Sequence, residues 1–230
     1  MTQIQQEMIM MSEMYKRSYD FKMRAEKTER GQEIVGRPIV YESKTDIGGM
    51  FAEIIDKGAL DKTDLTDVRF MVNHDLTKIP LARSRKNTKN STMRLTVDDE
   101  GLGIRVVLDT DNNTDARSLY SAIERGDITG MSFMFGVRGE KWEDVDSDYP
   151  TRHITDISTV VEVSAVTFPA YDETSIGVAA SRNAVTSEDI SALDNARIAV
   201  ETARRSSVDT ELELAKAKNH ISGRFAKNIM

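Results

Sequence analysis

Cysteine is absent from the 230-residue chain, which excludes disulfides, thiolate catalysis and cysteine-ligated metals. Only three histidines occur, and no two are spaced His-x-x-x-His, so a histidine-rich zinc site is not expected. No apolar run approaches the roughly 20 residues of a membrane span. The first fourteen residues hold several methionines, but with Gln3, Gln5, Gln6, Glu7 and Glu13 they do not read as a secretory leader. An intracellular protein without membrane association is therefore expected. A formal net charge of −7 argues against broad attraction to nucleic acid, which needs a basic face. A glycine-rich phosphate loop and the alternating pattern of a doubly wound sheet are also missing.

What is present is mostly strand pattern. Tyr19, Phe21, Met23 and Ala25 alternate with polar residues and predict a half-buried strand. A second strand is expected from Ile34 to Tyr41, bent near Gly36 and Pro38. Val68, Phe70 and Val72 share one face of a third, and His74 falls on that inward face if the chain stays extended. Met93–Val97 and Leu102–Leu108 alternate around Asp98-Asp99-Glu100-Gly101 and predict a hairpin. Ala116, Leu119, Tyr120 and Ile123 follow helical spacing between a capping Asn113 or Thr114 and a terminating Gly126. Further strands are expected over Ile128–Val137 and Val160–Phe168, separated by a charged loop from Glu140 to Arg152. Short strands with few helices imply a mainly β, α+β domain or small β-barrel.

Composition changes after Ser181. Residues 1–14 read as a helical or disordered extension, 15–182 as the principal domain, and 183–230 as a helical tail with a thin apolar stripe. His220 falls in that tail.

Three polar residues interrupt segments patterned for burial: His74 after Met71-Val72-Asn73, Ser132 within Gly130-Met131-Ser132-Phe133, and Glu162 within Val160-Val161-Glu162-Val163. Buried, each needs a partner, because an unpaired polar group costs about 1–3 kcal/mol. They could satisfy one another. A serine hydroxyl needs a base to act as nucleophile, and the base needs a group that fixes its tautomer, so the three suit a hydrolytic triad. Each also has a plain structural reading: a strand-end hydrogen bonder, a small space-filler, a solvent-facing carboxylate.

From about Tyr19 to Ile176 the chain resembles, block for block, the HK97-type prohead serine proteases of tailed bacteriophages. The blocks are Arg17–Phe21 through Gly36, Gly48–Phe51 with Ile54–Leu60, Asn73-His74-Asp75, the hairpin around Asp99–Leu102, Arg125–Phe133, and Glu162–Tyr171. The resemblance implies Ser132 as nucleophile and His74 as general base and acid. Glu162 would orient His74, with His153 and Asp156 as alternatives for the third position. This family is distantly similar to the herpesvirus maturation proteases, whose third member is a histidine. The same likeness implies a small β-barrel ringed by helices, and places Pro169-Ala170-Tyr171 as a candidate for oxyanion donors. No metal or cofactor is implied. The substrates would be the scaffold, the N-terminal segment of the major capsid protein and the protease itself, with self-association inside the procapsid in the host cytoplasm. A catalytically inactive assembly scaffold is the alternative. Met134 stands where many relatives carry glycine, and the tail beyond Asn183 has no counterpart.

Overall fold

The computed structural model describes residues 14–19, 23–167 and 185–227, with side chains for 14–18, 23–167, 185–207 and 210–211. Residues 1–13, Phe168 and Pro169–Tyr171 lie outside the described residues. Eleven strands and two helices are seen among those described. In chain order they are β1 (Tyr15–Tyr19), β2 (Arg24–Thr28), β3 (Gly31–Val40), β4 (Thr45–Ile47), β5 (Phe51–Ile55), β6 (Asp67–Val72), β7 (Ala82–Arg85), β8 (Met93–Asp98), β9 (Gly101–Leu108), α1 (Thr114–Glu124), β10 (Gly130–Glu143), β11 (Thr151–Val166) and α2 (Ser187–Lys227). The fold is mainly β. Among the described residues, no helix is long and apolar enough to cross a membrane.

The strands form two sheets. The larger runs β1-β10-β11-β5-β4, with β6 also pairing β11 and β7 pairing β6; the smaller runs β2-β3-β9-β8. The long β11 organises the larger sheet. One edge pairs antiparallel with β10. The other pairs in parallel with β5 at residues 151–154 and then with β6 at residues 162–165. Among the described residues neither sheet closes, so these strands do not build the expected closed barrel, and the two described helices do not ring it. The apolar faces are covered instead by the second sheet and α1. One core joins Ile34, Ile104 and Val106 of the smaller sheet, Leu119 and Ile123 of α1, and Phe133 of β10. Each such fully buried side chain is worth about 1.5–3 kcal/mol.

Three further expectations are corrected. The single strand from Tyr19 to Ala25 is two strands in different sheets, with the Met23 N–H bonded to the Thr129 carbonyl at 3.3 Å between them. The stretch Glu140–Arg152 is strand at both ends and loop only over 144–150, because β10 and β11 form one long ribbon. Some of its charges are paired. Arg152, fully buried, holds Glu140 and Glu53, and His153 Nδ1 lies 2.7 Å from Asp56. Finally, β6 does not carry His74 in extended form. The strand ends at Val72, and Asn73 and His74 adopt φ of 52° and 58°.

The hairpin and α1 follow the sequence closely. Asn113 accepts from the Asp115 and Ala116 amides at 2.9 and 3.2 Å, giving α1 its cap. In the hairpin turn, Gly101 has φ of 134°, and a Cβ there would lie 2.1 Å from the Ile39 carbonyl oxygen. Only glycine fits.

α2 begins against the larger sheet. Thr186 and Asp189 form a reciprocal cap: the Asp189 amide donates to Thr186 Oγ1 at 3.1 Å, and the Thr186 amide donates to Asp189 Oδ2 at 3.1 Å. Asp189 and Leu193 are buried, and Arg197 donates to the Val145 carbonyl. At 41 residues the helix is about 60 Å long at 1.5 Å per residue.

Candidate active site

Strand register decides which polar residues meet. Ser132 on β10 is paired with Ser164 on β11, and Met134 with Glu162. Side chains of adjacent strands in register point to the same face. Met131, Phe133, Phe135, Val163 and Ala165 fill the core. Ser132, Glu162 and Ser164 alternate with them and so occupy the opposite face. Met71, paired with Ser164 from β6, shares it and is buried outside the core cluster.

His74 reaches that face through its backbone. Asn73 continues the β6 register for one bond, its N–H donating to the Ala165 carbonyl at 2.9 Å. Its side chain ties down Thr167, accepting from the Thr167 amide at 2.9 Å. The two left-handed residues then turn the chain. Positive φ costs of order 1–3 kcal/mol at a non-glycine residue and persists only where surroundings enforce it. Here the His74 amide donates to Ser164 Oγ at 3.0 Å, and the imidazole is swung over the sheet.

The result is a hydrogen-bonded chain. His74 Nε2 lies 2.6 Å from Ser132 Oγ, and His74 Nδ1 lies 2.6 Å from Glu162 Oε2. Ser164 donates to the other Glu162 oxygen. Both oxygens of a carboxylate that is only 1% exposed are thereby satisfied. An ionised carboxylate only accepts, so Nδ1 carries the proton toward Glu162 and Nε2 is left to accept from Ser132. Chemically, this pairs a hydroxyl with a base whose tautomer is fixed.

Ser132 has a second acceptor. Its Oγ lies 2.7 Å from the Arg17 carbonyl of β1, and its single proton is contested between that carbonyl and His74. The serine is fully buried in this arrangement. The strand carrying Arg17 is anchored on the core side by a buried charge cluster. Arg17 Nε is 2.6 Å from Glu53 Oε1, and Arg17 Nη2 is 2.7 Å from Asp189 Oδ1. Arg152 approaches the same two carboxylates at 3.2 and 3.4 Å and stacks 4.4 Å from the Tyr15 ring centroid. Burial pushes the Asp189 carboxyl up, but the charge and hydrogen bond of Arg17, with Thr186, more than offset this and hold it below the ordinary range. Burial likewise opposes the charge on Arg17, and Glu53 and Asp189 raise it well above the usual guanidinium value.

Of the sequence candidates, Ser132, His74 and Glu162 come together. His153 and Asp156 do not join them. They lie nine and six residues before Glu162 on β11, about 30 and 20 Å away at 3.3 Å per residue. His153 sits between Asp56 and Glu143, and Asp156 faces Arg138 at 3.8 Å. Ser164 and the Arg17 carbonyl were not singled out as site groups from sequence. Ser164 left a signal, being polar two residues after Glu162 in an apolar strand, hence on its face. Among the described residues, no cluster of three histidine or acidic side chains is arranged to hold a metal ion.

The sequence profile of the caudovirus prohead serine proteases matches residues 19–189, most of the chain and all three of these side chains. The chain belongs to that family. Membership makes it, at family level, a serine protease of phage capsid maturation. Among solved structures, the bacteriophage T4 capsid assembly protease is similar at 14% identity, covering 68% of this chain and 98% of that one, with a TM-score of 0.40. No curated protein matches the sequence.

Proposed function

We propose that the chain is the endopeptidase of a phage procapsid, with Ser132 as nucleophile, His74 as general base and acid, and Glu162 as the residue that orients His74. The observation that carries this reading is the continuous hydrogen-bonded chain from Ser132 through His74 to Glu162 in a member of a serine protease family. His74 takes the hydroxyl proton as Ser132 Oγ attacks the scissile carbonyl. The same proton passes to the leaving amine, and an acyl-enzyme remains. Water, deprotonated by His74, releases it. Glu162 stays ionised, stabilises the imidazolium and receives a hydrogen bond from Ser164 throughout. Substrates are the scaffold, the N-terminal segment of the major capsid protein and the protease itself, met by self-association inside the procapsid in the host cell.

The complete burial of Ser132, whose hydroxyl also reaches the Arg17 carbonyl, favours a second reading, an inactive member acting as an assembly scaffold. Co-expression with the phage's capsid protein separates the two. Intact masses of both chains are followed for wild type, Ser132→Ala and His74→Ala. Trimming by wild type alone supports the protease. Intact partners in all three, in assembled proheads as in solution, refute it in favour of the scaffold.

A further inference from the structure

An apolar cleft of about 460 Å³ lies beside the triad, between α1 and the loop that carries His74. Its floor is formed by Met71 and Leu119, both buried, and its walls by Val72, Leu81, Ala122 and Ile128. We propose that this cleft is the specificity pocket of the protease and takes a bulky aliphatic or aromatic side chain of the substrate; the inference rests on the proteolytic reading above.

Three observations support that occupant. First, the cleft and the triad share their framework. Val72, Asn73 and Asp75 bracket His74 and line the cleft, and Ile128 lies on the segment leading into β10 and Ser132. Ala122 ties wall to framework, its carbonyl accepting from the Asp127 amide at 2.8 Å. Anything seated there presses on the backbone that aims the base.

Second, the reach is right. Ser132 pairs with Ser164 and Ser164 with Met71, so the part of the cleft that shares the Ser132 face, at Met71, is two strand spacings from the nucleophile. That is about 10 Å, the span of about three extended residues at 3.3 Å each. A side chain two to four residues from the scissile bond enters the cleft while the carbonyl lies at Ser132.

Third, the chemistry of the rim selects an uncharged apolar group. Of the three ionic residues lining the opening, Lys78 and Asp115 lie 3.9 Å apart and balance one another, and Asp75 accepts from the Thr77 amide and hydroxyl at 3.0 and 2.5 Å. Beside them Ile79 stands 85% exposed, and Leu76 of the same loop is 46% exposed. Two large aliphatics held in water on one short loop offer an apolar lip to a substrate chain. The cleft's volume falls within the range of about 300–1,000 Å³ typical of ligand pockets, with mostly hydrophobic lining.

The full-length chain is incubated with a proteome-derived peptide library, and cleavage sites are read by mass spectrometry. A fluorophosphonate probe reports Ser132 reactivity in parallel. Wild type is expected to enrich Leu, Ile, Met or Phe at one position two to four residues from the cut. Replacing that residue by alanine in a cleaved peptide should lower kcat/KM about 10- to 200-fold. Ala122→Leu, which fills the cleft, should shift the preference toward small residues. Ile79→Lys, at a solvent-exposed position that cannot unfold the domain, should weaken it. Val97→Lys, an exposed aliphatic on the other sheet, should leave the profile unchanged. Cleavage without apolar enrichment, or enrichment untouched by Ala122→Leu and Ile79→Lys, overturns the pocket alone. Absence of both labelling and cleavage overturns the protease reading and the pocket with it.

Discussion

Replacing Asp189 by alanine tests whether the first turn of α2 is locked to β1, the strand beside Ser132, by charge. The side chain is fully buried and has four bonds to lose. Two are ionic, to Arg17 at 2.7 Å and the longer approach to Arg152 at 3.4 Å. Two are the cap contacts with the Thr186 amide and hydroxyl at 3.1 and 3.0 Å. A hydrogen bond to a charged group is worth about 1.5–3 kcal/mol, and a helix cap about 1 kcal/mol. Removing one partner of a buried ion pair costs about 3–5 kcal/mol when it strands the other. Here Arg17 keeps both Glu53 oxygens, at 2.6 and 2.9 Å, so the loss belongs near the bottom of that range. Asp189→Ala should therefore cost about 3–4 kcal/mol, a large part of the 5–15 kcal/mol of an ordinary domain. Asp189→Asn keeps an acceptor for Thr186 and should cost about half as much.

The assay is urea denaturation followed by circular dichroism, with the change read from the midpoint at constant m. Its pH dependence adds a second arm. The folded carboxyl of Asp189 titrates below its unfolded value of about 3.9, so its stabilisation is fully present above that pH and is lost as pH falls through the folded pKa. The gap between wild type and Asp189→Ala should be widest at neutral pH and shrink below about pH 4. A loss under about 1 kcal/mol at pH 7, or a gap that stays constant down to acid pH, would refute the charge lock.

Other expectations follow from single features. Glu162→Gln should lower kcat by about 10⁴, the order expected when the orienting carboxylate of a triad is neutralised, whereas His153→Ala should leave it within a few-fold; kinetics on a processed peptide distinguish them. Gly101→Ala should cost at least 2 kcal/mol or so in thermal or urea unfolding, because it adds a Cβ against the Ile39 carbonyl at a φ hostile to side chains. Arg37 hydrogen-bonds Asp98 and holds its carboxyl down to about 2, so Arg37→Met should flatten the fall of stability with acid between about pH 4 and 2.

The meeting of Ser132, His74 and Glu162 was legible in the sequence for a physical reason. A hydroxyl, an imidazole and a carboxylate inside apolar strands cannot all be left unpaired, and their mutual satisfaction was the economical solution. The hairpin and α1 were legible because their signals are local: the Asn113 cap, the Gly126 stop, and Gly101 at a left-handed turn. What escaped was set by register and by distant partners. Periodicity carries His74 onto the inward face of β6; two positive-φ residues, enforced by Ser164 and Thr167, turn it onto the other. Composition alone makes all of Glu140–Arg152 a charged loop, because the partners that bury Arg152 include Glu53 on β5 and Asp189 on α2, far away in sequence.

The charge cluster is the extreme case. Arg17 and Asp189 are 172 residues apart, each in a locally polar stretch that reads as solvated, yet both are buried. Their pairing places the start of the C-terminal helix and the carbonyl contacting Ser132 on one residue. Arg17 bonds Asp189 through its guanidinium and Ser132 through its backbone. A displacement of α2 therefore cannot leave β1 electrostatically unchanged, since it would strand two guanidinium groups with only Glu53 and the half-buried Glu140 to balance them. The geometry of the site thus depends on a residue that no reading of the catalytic motifs would include.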